Sequence, residues 1–470
     1  MQMKEEDKYR ETDTSWLSDI EYLGKPLSDA LLKVGEIPDI DRSNAPAKDI
    51  KSLYTYESFS NEKTYEDMDY ADEGYRLMGL FRFWNVIEYY YPYLTLLEEN
   101  WGDLLPQHIS LMLEGEEKES YERAIYSLAA KLKDPHAAVA SSDSLFIENE
   151  FGKYRAPVWL AYAEGKLVVG KVDEEYQQTC PLKPGDVLKE LNGVDIEDVI
   201  EHRKQYISVP EDDKLLNALS KYLLMSKEQV MKITVLRGEE TVTLDVQGNQ
   251  KSYHPVYGLL SEKSSHELLE GNIGLINPNK VESNEIYKIM GEFEETNGLI
   301  IDMRQYFPLN IQIPEVALEE YLLGSGKQCA ESVCPSLVVP GVFRTWKKQY
   351  AGRGIGPIYK KPVVLLMDEL TQSSSEYKIL MYRDGPNVVV MGRDSVGAAG
   401  SITLFTLPGG YIVQFTGLGI RTVEGESYQR VGLKPDIYVE PTIAGIREGR
   451  DELMEAAIQY IQKNAAGGIK

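Results

Sequence analysis

Basic charge, histidine and cysteine are all scarce in this chain. Its 470 residues hold 75 aspartates and glutamates against 50 lysines and arginines, a formal net charge of −25. That balance argues against nucleic acid or an anionic membrane surface as partner, because both are bound through basic patches. The acidity is spread along the chain rather than gathered in one tail, so it reads mainly as a solubility feature. The three cysteines, Cys180, Cys329 and Cys334, cannot all pair and form no metal-type cluster, so neither a metal nor another cofactor is expected. Cys329 and Cys334 lie close enough in sequence for a small loop disulfide in an oxidising compartment, two free thiols being the blander reading. Long apolar runs are missing too: none reaches the length that spans a bilayer. The start, MQMKEEDKYRETD, lacks the apolar stretch of a secretion signal. The chain is therefore expected to be cytoplasmic, or a mature form whose signal has been trimmed.

What is present is the profile of a soluble globular protein, 43% hydrophobic and 27% charged, long enough for two to four domains. Residues 1–73 are polar with few periodic signals, an arm or small subdomain. From residue 74 the pattern turns helical. YRLMGLFRFWNVIEYYYPYL sets Leu77, Leu80, Phe81, Trp84 and Ile87 on one face and ends at Pro92, and ERAIYSLAAKLKD sets Ile125, Leu128, Ala129 and Leu132 in phase. A helical bundle is expected over 74–150. Residues 151–250 read as a β-rich module: two strands meeting around Glu164-Gly165, an Asn-Gly turn within LKPGDVLKELNGVDI, and a hairpin turning near Arg237-Gly238. From 251 to 470, strands and helices alternate. NIGLINP, GLIIDMR, KPVVLLMDE and NVVVMG are near-continuous apolar runs, as in strands buried on both faces of a parallel sheet. A hairpin turning at Pro408-Gly409-Gly410 and one terminal helix, REGRDELMEAAIQYIQK, complete the unit.

Within it, ELTQSSSEYKIL places three serines where a strand passes into a helix. A serine there reaches the ligand-binding edge of the sheet, beside unpaired backbone N–H groups that suit an oxyanion. Ser373-x-x-Glu376 is equally a capping box, which makes the serine structural. A nucleophilic serine needs a base. Among His108, His136, His202, His254 and His266, His136 stands out, in a tight Asp134-Pro135-His136 turn followed by small residues. The glycine-rich loop MGRDSVGAAGS could bring backbone amides or Ser395 to the same edge. It lacks the Gly-Lys-Ser/Thr ending of a phosphate cradle.

Several segments, in this order, resemble the tail-specific (C-terminal processing) and tricorn-type serine peptidases: the helical region, a PDZ-like LKPGDVLKELNGVDI, the strand GLIIDMR, the nucleophile segment MDELTQSSSEY, and RVGLKPDIYVEPT near the end. LFRFWNVIEYYYPY and PTIAGIREGRDELMEAAI look like a branch common among Bacteroidetes-type bacteria. The resemblance implies an α/β multidomain chain: a crotonase-like (ClpP-like) βαβ core with an N-terminal helical bundle and an inserted PDZ-like module. It implies an extracytoplasmic location with the signal removed, and a peptide or protein substrate, held in part by the PDZ-like module. It assigns Ser373 as nucleophile and the Ser374 amide as an oxyanion donor. The Ser-Lys branch carries a lysine after the glycine of the second loop, where this chain has Gly397-Ala398. The tricorn-like branch uses a histidine in an Asp-x-His-Ala-like turn, which falls on His136, and an acid near the last hairpin, for which Glu424 and Glu426 are the candidates. Where the family often has glycines that supply a second oxyanion amide, this chain has Gln305-Tyr306-Phe307-Pro308. A non-catalytic peptide- or ligand-binding protein on the same fold is the alternative.

Overall fold

The computed structural model describes residues 14–35, 44–49, 57–210, 214–253, 264–282, 285–304, 314–324, 326–337, 339–352 and 357–465. The segment 305–308 and His254 lie outside them. Three sheets organise the chain.

The first is the mixed sheet whose edge carries the segment 368–373. Its strands run in the order His266–Leu269, Ile273–Ile276, Gly298–Asp302, Val363–Met367, Val388–Gly392 and Ile437–Tyr438. The first pair is antiparallel and the rest are parallel. The two central strands are buried at every position because both faces are covered, as their unbroken apolar runs require. Alternate side chains go opposite ways. Ile300, Val364 and Leu366 pack with Ala457 and Ile461 of helix Glu452–Ala465. Leu299, Ile301, Val363 and Leu365 join Ile289 and Ile379 on the other face.

The second sheet is antiparallel, in the order Phe343–Ala351, Lys327–Pro335, Tyr411–Arg421 and Gly400–Leu407. Strand Tyr411–Arg421 is long enough to take Lys327–Pro335 at its far end and the short strand Ala138–Ala140 near its start, with Gln414 opposite Ala138. That pairing carries His136 to the hairpin. Helices Glu73–Tyr90 and Lys118–Ala130 lie against this sheet through aromatic pairs, among them Phe83–Phe405 and Tyr121–Tyr411, both 5.6 Å between ring centroids, and helix Trp101–Glu114 packs on these two helices.

The third sheet belongs to the β-rich module, in the order Glu240–Gln247, Val230–Arg237, Val187–Leu191, Lys166–Val172 and Val158–Ala163. It packs on helices Ile196–Lys204 and Leu215–Leu223 around a separate core.

Two expectations are corrected, and two others gain detail. The buried face of helix Glu73–Tyr90 is Leu80, Phe83, Val86 and Ile87, while Phe81 is exposed; with apolar residues nearly all round this helix, periodicity could not choose its face. The terminal helix is two, Ile443–Glu448 and Glu452–Ala465, divided at Gly449 in a left-handed C-cap. The arm contains helices, Ile20–Leu23 and Lys25–Gly35 among them. Cys329 and Cys334 form no disulfide, in line with the blander reading, and both are buried within one extended strand, Lys327–Pro335. A strand rises about 3.3 Å per residue, which holds them far beyond the ~7 Å Cα limit of a disulfide. Among the described residues, no helix is long and apolar enough to cross a membrane.

Candidate active site

Strand Val363–Met367 delivers its chain to the sheet edge, and the loop 368–372 turns it into helix Ser374–Tyr382. The turn is held from within: Asp368 N donates to Thr371 Oγ1 (3.0 Å), Leu370 N to Asp368 Oδ1 (3.0 Å), and Val396 N to Thr371 O (2.9 Å). Ser373 stands at the helix N-terminus with φ +52° and ψ −110°. A helix-capping serine ordinarily sits in the extended region, so capping does not require this backbone. A non-glycine residue held there stores about 1–3 kcal/mol of strain, and such residues cluster at functional sites.

Glu376 explains how the strained turn is kept. Its buried carboxylate accepts from Ser373 N (2.7 Å), Ser395 Oγ (2.5 Å), Gly397 N (2.6 Å) and Ala398 N (2.8 Å). Burial pushes this carboxyl above its ordinary pKa, and the four donors pull against that rise. The carboxylate half of the capping box is therefore real, and it reaches further than a cap. It clamps the glycine-rich loop to helix Ser374–Tyr382 and occupies the amides that a phosphate cradle would use. Gly397 takes φ +86° with backbone atoms 2.7 Å from where a Cβ would stand, so only glycine fits. Position 398, where a dyad lysine is absent, is a fully buried alanine. Lys378, the next lysine along, is buried with Nζ 3.8 Å from Met381 Sδ.

His136 is fixed by the hairpin. Its carbonyl accepts from Gln414 Nε2 (2.8 Å), its amide donates to Asp134 Oδ1 (2.9 Å), and its Nδ1 lies 2.8 Å from Thr416 Oγ1. Burial lowers its pKa below the usual imidazole value, with the Asp134 charge opposing. Asp134, wholly buried, also accepts from Thr416 Oγ1 (2.8 Å), Thr416 N (2.7 Å) and Gln429 Nε2 (2.9 Å). Gln429 Oε1 in turn accepts from Ala399 N (2.7 Å). One network thus runs from Ser373 through Glu376, the loop 397–399, Gln429 and Asp134 to His136.

Glu424 and Glu426 are exposed on the turn after strand Tyr411–Arg421, and neither hydrogen-bonds to His136 among the described residues. The carboxylate that reaches the histidine is Asp134, from its own turn. His108, His202 and His266 lie in separate neighbourhoods, bonded to Leu104 O, Glu150 and Ser265 respectively. Sequence reasoning passed over Thr416 and Gln429. A threonine inside a strand and a glutamine in a polar loop carry no local mark of such a role. Among the described residues, no three His, Cys, Asp or Glu side chains converge as metal ligands would.

The β-rich module touches the loop 368–372 directly. Leu370 is buried in that module's core, Asn217 Nδ2 of helix Leu215–Leu223 donates to Gln372 Oε1 (3.0 Å), and Arg393 Nη1 donates to Tyr162 O (3.0 Å) on its edge strand.

Residues 330–439 match the model of Peptidase family S41, and residues 153–264 match a PDZ domain. With the strand-to-helix serine inside the first match, the chain is a serine-type peptidase. It carries the peptidase domain of family S41 together with a PDZ domain. In fold it is similar to a Parabacteroides merdae protein described as a peptidase (TM-score 0.53, 15% identity, covering 85% of this chain and 99% of that one). It is similar also to mature CPAF (TM-score 0.62, 13% identity, 84% and 99%) and to mature CPAF complexed with lactacystin (TM-score 0.61, 13% identity, 83% and 99%). None of the curated proteins matches the chain in sequence.

Proposed function

We propose that the chain hydrolyses peptide bonds with Ser373 as nucleophile and His136 as general base, rather than through a Ser-Lys dyad. The observation that carries this reading is the strained backbone of Ser373 at a helix N-terminus on the sheet edge, joined through Glu376, the loop 397–399, Gln429 and Asp134 to the half-buried His136. Against the dyad stands position 398, which is Ala398, with its amide held by Glu376. Ser373 Oγ passes its proton to His136 Nε2 and attacks the scissile carbonyl carbon. The carbonyl oxygen becomes an oxyanion facing the Ser374 amide at the positive end of the helix. His136 then gives its proton to the departing amine, leaving an acyl-Ser373 ester. Water, deprotonated by the same nitrogen, hydrolyses the ester. Burial supports the role of His136: it keeps the ring neutral, and so basic, at neutral pH.

The remaining assignments belong to the same reading. The mixed sheet with its helices is a crotonase-like core, helices Glu73–Tyr90 to Lys118–Ala130 form the bundle, and the PDZ domain recruits peptide or protein substrates. The working compartment is extracytoplasmic.

A fluorophosphonate probe tests the core of it. It should label wild-type protein at one site and fail on Ser373→Ala. His136→Ala should lose hydrolysis of casein while keeping its circular dichroism spectrum. Labelling that survives Ser373→Ala, or full activity in His136→Ala, overturns the assignment. Peptide binding without any labelling or cleavage would make the chain a binding protein.

A further inference from the structure

We infer that Thr416 is the positioning residue of this site, its hydroxyl joining the Asp134 carboxylate to His136 Nδ1 and so fixing the ring with Nε2 free to take the Ser373 proton. The inference rests on the reading of Ser373 and His136 given above.

The argument is one of counting hydrogens. Asp134 receives four donors, from His136 N, Thr416 Oγ1, Thr416 N and Gln429 Nε2. His136 N and Gln429 Nε2 can only donate, and both point at Asp134 Oδ1, so that oxygen stands as an acceptor. A hydroxyl has one hydrogen. That of Thr416 goes to Asp134 Oδ1 at 2.8 Å, leaving only a lone pair to face His136 Nδ1 at 2.8 Å. Nδ1 must therefore carry the ring hydrogen, and Nε2 is left as the acceptor. This is the tautomer a general base requires. When Nε2 takes the serine proton, the new positive charge sits one hydroxyl away from Asp134, and no donor has to turn round.

The surroundings make the link rigid. Thr416 is fully buried, and its own amide is tied to Asp134 Oδ2. The pairing of Gln414 with Ala138 sets the distance between the two chains. Gln429 holds Asp134 from the opposite side, and Ser208 Oγ of the PDZ domain donates to the Asp134 carbonyl (3.0 Å). The other titratable groups facing this cluster are Tyr91 and Tyr93, both raised by burial and by the Asp134 charge, with Arg430 beside Tyr91 and Glu376 beside Tyr93. None of them supplies Nδ1 with an acceptor in place of Thr416.

The test compares Thr416→Val, Thr416→Ser and Ser373→Ala with the wild-type chain. The readouts are the rate of fluorophosphonate labelling and of casein hydrolysis from about pH 5 to pH 9, the range over which an imidazole base titrates. Thr416→Val should lower both rates by about 10²–10³-fold, the scale of a base held in the wrong tautomer. Its acid limb should move to lower pH, because a buried imidazolium without an acceptor at Nδ1 is harder to form. Thr416→Ser should restore both the rates and the limb. Wild-type rates in Thr416→Val overturn the inference. So does an equal fall in the valine and serine variants with the acid limb unmoved, which would reduce Thr416 to packing. Activity that survives Ser373→Ala would instead overturn the nucleophile assignment, and this inference with it.

Discussion

Asn217, on a PDZ-domain helix, donates its side-chain amide to Gln372 at 3.0 Å, one residue before the proposed nucleophile Ser373. Two residues further back, Leu370 is buried in the PDZ core itself. The loop that shapes the active serine is thus built partly from the PDZ domain, and whatever shifts helix Leu215–Leu223 acts on the backbone next to Ser373.

That contact can be weighed by mutation. Leu370→Ala should cost about 2–5 kcal/mol of stability, the range for emptying a buried leucine site. Asn217→Ala should cost only about 1 kcal/mol. Both should slow fluorophosphonate labelling of Ser373, because the loop loses its outer support. Urea unfolding together with labelling kinetics checks this. Labelling at the wild-type rate in both variants would show that the loop holds its shape unaided.

His136 gives a pH prediction. Its folded pKa is lowered, first by burial, with the Asp134 charge pulling the other way. The neutral base therefore persists to more acidic pH than a free imidazole would. The acid limb of kcat/KM should fall below 6.5, the ordinary value for histidine. A limb above that value would mean that the attraction of Asp134 outweighs burial.

Asp368 gives a prediction about stability. Burial, and then the neighbouring Glu369, push its carboxyl up to about 7, against the pull of Arg304 and Arg393. A carboxyl with a raised folded pKa keeps its proton where the unfolded chain has lost it. The protein should therefore lose stability as pH rises from the ordinary aspartate range through about 7. Asp368→Asn should raise Tm at pH 8 and leave it unchanged near pH 4, as seen by thermal melts at the two values.

Arg304 ties the sheet to the C-terminal helix. Its guanidinium bonds Asp302 through Nε (2.9 Å) and Nη2 (2.8 Å), and Asp451 through Nη1 (2.9 Å) and Nη2 (2.8 Å). Removing it leaves a buried Asp302 carboxylate without that charge, so Arg304→Ala should cost about 3–5 kcal/mol in urea unfolding. Arg304→Lys should recover little, because an ammonium cannot span two carboxylates with a planar fork.

Much of this was readable in order along the chain. The apolar runs 298–302 and 363–367 are buried at every position as strands. The turns at Gly165, Gly238 and Gly409-Gly410 fall where strands reverse. These features are local: a strand buried on both faces must be apolar throughout, and a tight reversal needs residues that accept positive φ. Phe81 and Phe83 show the limit. A helix apolar on most sides does not reveal which phenylalanine faces inward until its partner sheet is in place.

The site divides in the same way. The sequence by itself determined the candidates, Ser373 after a strand and His136 in a turn among small residues, because both depend on the residues beside them. Only the tertiary structure decided what acts on them. Glu376 turned from a helix cap into the anchor of a distant loop. Glu424 and Glu426 make no hydrogen bond to His136 among the described residues. Asp134, next to His136 all along, became its partner through Thr416, more than two hundred residues away in the chain. The physical reason is that a hydrogen bond depends on position in space. Sequence records which donors and acceptors a chain owns, and folding determines which of them come within 3 Å of one another.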